Sequence, residues 1–244
     1  MSEEKKQSAS APEKAKAAEE KKSKLNENTI EIIVAILLGV TALLSAWASW
    51  IGSLHGGNMS TNYTKSNNIA ADGNAAYSAG MQLYLSDLMA WNTMMDYSFD
   101  REVADAEGKT EESALIDAKL QTYAEQNLSE ILLDAISNMS EDMESPFEVE
   151  GTYEKYFEEA NELLDESQKL LDEGKDDNAH GDAYSLVNVI YSLVLFMLGI
   201  VGIFKRLPNR AAVLCIAAVG LVLTTVYMLT IPMPTDFSLT GYFK

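Results

Sequence analysis

The residues best suited to chemistry in this chain are its two histidines and the aspartates near one of them. The stretch DDNAHGDAYS, residues 176–185, contains Asp176, Asp177, His180 and Asp182, while His55 lies much earlier. Imidazole and carboxylate groups together suit zinc or copper. The alternative is that these polar residues mark the point where a helix enters a membrane. We favour the alternative, because the histidines and acids show no paired spacing such as HxxxH or HxxE.

No enzyme signature accompanies these residues. The chain contains no Walker loop, GxSxG, HExxH or dinucleotide fingerprint. A calcium loop starting at Asp176 would have Val187 where a bidentate glutamate is required. We therefore predict a protein that is not an enzyme, with no cofactor and no metal.

The elements that must position the histidines are three apolar windows, residues 32–54, 184–204 and 211–232. Each has about 20 residues, the length of a helix that crosses roughly 30 Å of hydrocarbon. None has a charge in its interior, whereas a helix of a soluble core would have a polar face. The windows predict an all-α membrane protein with transmembrane helices over 30–54, 184–204 and 211–232.

Basic residues predict the orientation of these helices. Residues 1–29 are a charged leader, predicted to be disordered or a frayed helix, and the turn 205–210 contains Lys205, Arg206 and Arg210. Lysine and arginine near helix ends favour the cytoplasmic side. We therefore expect a multi-pass protein of the cell membrane with a cytoplasmic N-terminus, and with residues 55–183 and the tail 233–244 on the extracytoplasmic side.

A cleaved signal peptide is the alternative for the first window, since Ala46-Trp47-Ala48 has the spacing that signal peptidase recognises. The leader argues for retention, because it is long and mixes lysines with acids, whereas signal peptides have short basic leaders. The only cysteine, Cys215, lies in the third window and is expected to pack there as a small apolar residue.

The acidity of the chain is concentrated in residues 55–183. This segment has 29 Asp and Glu against seven Lys and Arg, a net charge of −22, so the rest of the chain is slightly positive. Such a segment repels nucleic acid. We expect no nucleic-acid partner, and either plain hydration of the acids or attraction of divalent cations or a basic partner.

Helical patterns fill this acidic segment. We predict a break at Gly56-Gly57, a helix over 64–106, a helix over 111–139 capped by Thr110, a break over 140–151, and a third helix from Thr152. Leu85, Leu88, Met89, Trp91 and Met95 supply the apolar stripe of the first helix, and Trp91, Tyr153 and Phe157 are the expected packing or docking residues. The segment is predicted to be an acidic extracytoplasmic helical bundle or coiled-coil domain.

Small residues form stripes in the apolar windows, as they do where membrane helices pack closely. The stripe of the first window is Ala35, Gly39, Ala42, Ala46 and Ser49, with Thr41, Ser45, Ala48 and Gly52 in a parallel row. The stripe of the second window includes Asn188, Ser192, Gly199 and Gly202. Asn188 should find a hydrogen-bonding partner, and the stripes fit packing either within one subunit or between subunits.

Two stretches carry a family resemblance: NAHGDAYSLVNVIYSLVLFMLGIVGIFKRLPNR (178–210) and SNNIAADGNAAYSAGMQLY (66–84). The chain is similar to a loosely defined group of uncharacterised prokaryotic membrane proteins. These have a charged leader, one membrane helix, a helical insert and a helical hairpin with a basic turn. The resemblance implies this architecture and no catalytic residue.

Three functional hypotheses follow. The first is a non-enzymatic assembly or accessory subunit, whose partners are membrane lipids and either identical copies or other subunits of a membrane complex. The second is an oligomeric cation channel with the acidic segment as its vestibule, in which Asn188 contributes to conduction. The third is a membrane sensor that responds to a ligand or to a metal at His55 and His180.

Overall fold

The computed structural model describes residues 11–204, 207–235 and 237–238 of the chain, with side chains from residue 28 onward except at Leu207. The described residues are helical and contain no strand, which confirms the all-α prediction. The helices are α1 (Ala11–Ala106), α2 (Thr110–Asn127), α3 (Glu130–Ser137), α4 (Thr152–Lys155), α5 (Glu158–Ile200) and α6 (Leu207–Thr230).

The chain divides into two compact units. One consists of Met1–Ser60 with Gly174–Lys244 and is called the membrane unit below; the other, Thr61–Glu173, is called the insert unit. In the part of the chain that the structure describes, three helices are long and apolar enough to cross a membrane, as the windows predicted. They are found within Asn28–Ala106, Glu158–Ile203 and Pro208–Thr230.

Helix α1 continues through the predicted break at Gly56-Gly57. Neither glycine has the positive φ that would end a helix, and a Cβ at either would meet nothing within 4 Å. A glycine inside a helix costs about 1 kcal/mol relative to alanine, and buried contacts of α1 on both sides of the pair offset this cost. The predicted break is therefore wrong.

The predicted helix over 111–139 is two helices, α2 and α3. Ser129 separates them as the N-cap of α3, where its hydroxyl accepts a hydrogen bond from the backbone N–H of Leu132 at 3.2 Å. Thr110 is the first residue of α2 and not its cap. The predicted break over 140–151 is confirmed, since it contains only a 3₁₀ turn, Pro146–Glu148, and Gly151 at φ +81°.

The third predicted helix begins as α4 and continues as α5, which contains the whole stretch 176–185. That stretch is helical and offers no loop for a cation. Helix α6 begins at Leu207, so residues 207–210 of the predicted basic turn are helical; Lys205 and Arg206 lie outside the described residues.

The core of the membrane unit is formed by α1, α5 and α6. Its buried members include Ala48, Ile51, Tyr184, Val187, Tyr191, Val194, Leu198 and Ala217. Large apolar side chains also point outward from all three helices, among them Leu43, Phe196 and Leu229. Helices that are apolar on every side suit a hydrocarbon solvent.

The insert unit is built on small residues of α1 that recur at intervals of seven. Ser66, Gly73, Gly80 and Asp87 are all buried. A Cβ built on Gly80 would lie 2.1 Å from the backbone oxygen of Tyr156, and one on Gly73 would lie 3.0 Å from Leu164. The partner numbers fall as the α1 numbers rise, so the two segments run antiparallel.

The predicted apolar stripe of this part of α1 is only partly buried. Leu88 and Trp91 are half-buried, whereas Leu85, Met89 and Met95 are exposed. Of the three expected packing or docking residues, Phe157 is buried and Tyr153 is exposed.

Candidate functional site

His55 joins the three helices of the membrane unit. Its buried ring lies on α1, its Nδ1 is 2.7 Å from Oδ1 of Asp177 on α5, and its Nε2 is 3.2 Å from the backbone oxygen of Pro232 after α6. The ring of His180 lies 5.2 Å away between centroids, and that of Tyr184 stacks at 5.8 Å. We call His55, Asp177 and the Pro232 carbonyl the histidine cluster.

Hydrogen-bond chemistry limits the protonation of this cluster. The Pro232 carbonyl can only accept, so Nε2 carries a hydrogen. The contact between Nδ1 and Asp177 then needs a second proton, whether it resides on the ring or on the carboxyl group. In either arrangement His55 and Asp177 together carry no net charge, which suits a buried pair. The geometry is that of a structural tie between helices.

The structure brings together only part of the predicted metal set. His55, His180 and Asp177 are neighbours, but His55 and Asp177 already bind each other. Asp176 and Asp182 are exposed, and Asp182 accepts a hydrogen bond from Asn178 at 3.4 Å. Among the described residues, no group of three or more His, Cys, Asp or Glu is placed to hold a metal ion.

Asn188 has a partner inside the chain. Its amide group faces Ser45 of α1, with the amino nitrogen 2.9 Å from both Oγ and the backbone oxygen of Ser45, and with the side-chain oxygen 3.2 Å from the Ser49 nitrogen. A carboxamide in an apolar helix gains from such an interhelical bond. Because Ser45 and Asn188 satisfy each other, their polar groups face the interior of a single three-helix unit.

The two parallel rows of small residues on α1 have different surroundings. In the row Thr41, Ser45, Ala48 and Gly52, every residue is buried or half-buried. A Cβ on Gly52 would lie 3.1 Å from Cβ of Tyr184, so α1 and α5 approach closely there. The predicted assembly row, Ala35, Gly39, Ala42, Ala46 and Ser49, is exposed. Its role in assembly therefore stays a prediction.

The predicted stripe of the second window is similarly divided. Ser192, Gly199 and Gly202 are exposed, and the Ser192 hydroxyl donates to the backbone oxygen of Asn188 at 2.8 Å. Close contact between α5 and α6 occurs instead at Gly220, where a Cβ would lie 3.3 Å from Val194. The sequence signal for Gly220 was weak, because it is a lone glycine in an apolar run.

A buried carboxylate in the insert unit was missed at the sequence level. Asp87 is fully buried and accepts three hydrogen bonds: from the Ser129 backbone N–H at 3.1 Å, from the Ser129 hydroxyl, and from the Tyr156 hydroxyl at 2.7 Å. We call these three residues the carboxylate cluster. It ties α1 to the start of α3 and to the end of α4.

The surroundings of Tyr156 raise its pKa above the ordinary value of 10.0. Burial is the larger cause, because it penalises the phenolate; the hydrogen bond to Asp87 and the charge of that carboxylate act in the same direction. The tyrosine is thus a neutral donor to Asp87 at physiological pH.

The insert unit also exposes a line of large apolar side chains on one face of α1. Leu85, Met89, Phe99 and Val103 are each at least 42% exposed. Their spacings of 4, 10 and 4 residues place them within about 80° of one another around a helix of 3.6 residues per turn. Asn92 and Asp96 lie between the two apolar pairs on the same face. We call the four apolar residues the α1 seam.

The chain matches no protein-family model, no curated protein and no solved structure. The resemblance to prokaryotic three-helix membrane proteins therefore stays a prediction. What can be concluded about function depends on the clusters and surfaces described above.

Proposed function

We propose that the chain is a non-enzymatic accessory subunit of a membrane complex and that the α1 seam docks onto a helix of a different membrane protein. The insert unit would lie on the extracytoplasmic side. The observation that carries the proposal is the seam itself. Large apolar side chains grouped on one face of an otherwise acidic helical unit are typical of an interaction surface.

Charge favours a different chain over a second copy. The insert unit, residues 61–173, has 26 Asp and Glu against six Lys and Arg, a net charge of −20. Two identical units would repel each other, and a parallel pair in register would set Asp96 against Asp96 near the middle of the seam. A partner helix with apolar anchors and basic flanks would complement both the seam and its surroundings.

The polar residues between the two apolar pairs of the seam also suit a specific partner. Polar residues within an apolar helical interface fix the register at some cost in stability. Asn92 and Asp96 would select a partner that offers donors opposite them. The two apolar pairs of the seam, one on each side of these polar residues, would bury their side chains against the partner.

The experiment is to extract the full-length protein gently into lipid nanodiscs and to determine the mass and composition of the particle. We expect a foreign subunit in fixed stoichiometry. Replacing Met89 and Phe99 by glutamine should remove that subunit, whereas Leu115→Gln, at an exposed leucine of α2, should retain it.

Two results would contradict the proposal. A foreign subunit retained equally by the seam variant would place the contact elsewhere. A closed homo-oligomer without foreign subunits would replace the accessory role by self-assembly, and conductance recordings with Asn188→Leu would then test the channel hypothesis.

A further inference from the structure

A cavity lies where α1, α5 and α6 meet at the Glu31 end of the membrane unit. Its volume is about 340 Å³. The walls are mainly apolar, with Val34, Leu38 and Leu198 among the lining residues, and Gly199 and Gly202 leave one side without side chains. A Cβ on either glycine would meet nothing within 4 Å, so the space beside them is open.

Arg210 supplies the positive charge of this cavity. Its side chain is only 11% exposed, and its Nε is buried without a hydrogen-bonding partner among the described residues. Among the described residues, Arg210 forms one ion pair, and it is long: Nη2 lies 3.4 Å from Oε1 of Glu31, whose side chain is 63% exposed. A guanidinium group carries five N–H donors, and burying such donors unpaired is costly. Among the described residues, the buried Nε of Arg210 therefore has no acceptor, and Arg210 is the one cationic residue that lines the cavity there.

The position of the cavity indicates the chemistry of that acceptor. Glu31 immediately precedes the first apolar window, and Arg210 immediately precedes the third. The two residues therefore mark the level where hydrocarbon gives way to headgroups. Phosphate oxygens match the planar donor fork of arginine, and the apolar walls match methylene groups. A phospholipid presents both chemistries together.

We propose that this cavity binds an anionic phospholipid, with the headgroup phosphate on Arg210 and the first part of an acyl chain along Gly199 and Gly202. The cavity is at the lower end of the size range of ligand sites, roughly 300–1,000 Å³, so most of the acyl chain extends into the bilayer. The phosphate displaces the long contact to Glu31. This lipid site goes beyond the proposed function and is independent of the α1 seam.

The test measures lipid retained by the full-length protein. The protein is incorporated into nanodiscs of phosphatidylcholine with a minor fraction of phosphatidylglycerol, transferred to mild detergent and weighed by native mass spectrometry. We expect one phosphatidylglycerol to be enriched on each chain. Arg210→Gln should reduce that retention by about tenfold, as expected for loss of one charged hydrogen-bonding group, and Glu31→Gln should not reduce it.

A second pair of variants keeps the test independent of Arg210. Gly199→Leu adds a side chain to the cavity wall at a position where a Cβ meets nothing within 4 Å, and it should also abolish retention. Gly39→Leu is the matched control, because Gly39 is an equally open glycine of a membrane helix that does not line the cavity; it should retain the lipid.

Three outcomes would overturn the lipid site. The first is retention of phosphatidylglycerol no greater than that of phosphatidylcholine. The second is equal retention by the native chain, Arg210→Gln and Gly199→Leu. The third is an Arg210-dependent rise in the melting temperature with inorganic phosphate alone, accompanied by displacement of the lipid, which would assign the cavity to a free anion.

Discussion

Asp87 and His55 are two buried polar residues that are satisfied in different ways. Asp87 receives donors only from neutral groups, namely a backbone N–H and two hydroxyls. His55 is paired with the carboxyl group of Asp177 and with a backbone carbonyl. A buried polar group whose hydrogen-bonding partners are all present helps to specify a single fold. Loss of one partner leaves the remaining groups buried without a hydrogen bond, at the full cost of their desolvation. The carboxylate cluster is therefore a polar point at which substitution should be costly to the insert unit.

The first prediction concerns Tyr156 and pH. Its raised pKa means that the folded insert unit holds the phenolic proton more tightly than the unfolded chain does. The resulting stability is fully present below the unfolded pKa of 10.0 and is lost as the pH rises above it towards the folded pKa. Tyr156→Phe should lose about 1.5–3 kcal/mol of unfolding free energy at neutral pH. The stability of this variant should also fall less than that of the native chain as the pH rises.

Hydrogen exchange of the α3 amides across this alkaline range measures the effect, with Tyr63→Phe in α1 as a tyrosine outside the carboxylate cluster. If the native chain and Tyr156→Phe lost protection with the same pH dependence, the link between this hydroxyl and alkaline stability would be wrong.

At the scale of elements, the insert unit depends on close approach of α1 to the antiparallel segment that begins at Thr152. The interval of seven from Ser66 to Asp87 keeps small residues on one side of α1, and the Ser66 hydroxyl donates to the Ser167 backbone oxygen at 2.8 Å. A seven-residue repeat keeps one side of a helix against its neighbour over several turns. Here small side chains let the backbones approach at Gly80.

The second prediction tests this approach. Gly80→Ala should destabilise the protein by about 1–3 kcal/mol, because the new methyl group would overlap the Tyr156 carbonyl and force the backbones apart. Gly56→Ala, in the same helix but in open space, should instead stabilise by about 0.5–1 kcal/mol. Urea unfolding of both variants in detergent measures the difference; the same sign for both would contradict the packing argument.

At the scale of the whole molecule, three helices suited to crossing a membrane place the two ends of the chain on opposite sides if all three cross. If all three helices cross, the loop around residue 144 and the α5–α6 connection are expected on opposite sides of the membrane. The positive-inside rule predicts a cytoplasmic α5–α6 connection, since Lys205, Arg206 and Arg210 are concentrated there.

The third prediction is the sidedness of these segments. In a Cys215→Ala background, which has no other thiol, Glu144→Cys should react with a membrane-impermeant maleimide in intact cells. Asn209→Cys should react only after permeabilisation. Both positions are exposed in the structure, so a difference in labelling reports the membrane barrier; the reverse pattern would invert the proposed topology.

Sequence reasoning found the three apolar helices because a membrane span is defined by composition over about 20 residues. It also located the breaks before Thr110 and around Pro146. It missed the continuity of α1, because glycine pairs usually end helices, while tertiary contacts decide whether they do so. The division between α2 and α3 was missed for a similar reason: Ser129 acts as a cap only when its surroundings interrupt the helix.

The clusters were harder to predict than the helices. Asp87 is one of 37 acidic residues in the chain, and nothing in its immediate neighbours distinguishes a buried carboxylate from an exposed one. The available signal was the interval of seven shared with Ser66, Gly73 and Gly80. The pairing of Asn188 was foreseen because a lone carboxamide in an apolar helix needs a partner, but its choice of Ser45 depended on the register of α1 against α5.

The histidine cluster has a consequence for how the protein is made. The two hydrogen-bonding partners of His55 lie 122 and 177 residues later in the chain. During synthesis, α1 therefore emerges from the ribosome long before its histidine can be satisfied, and the last hydrogen bond forms only after Pro232 is added. A nascent chain that stops before Pro232 leaves an imidazole N–H without this acceptor among three apolar helices. In this way the histidine cluster distinguishes a chain that includes Pro232 from one that stops earlier.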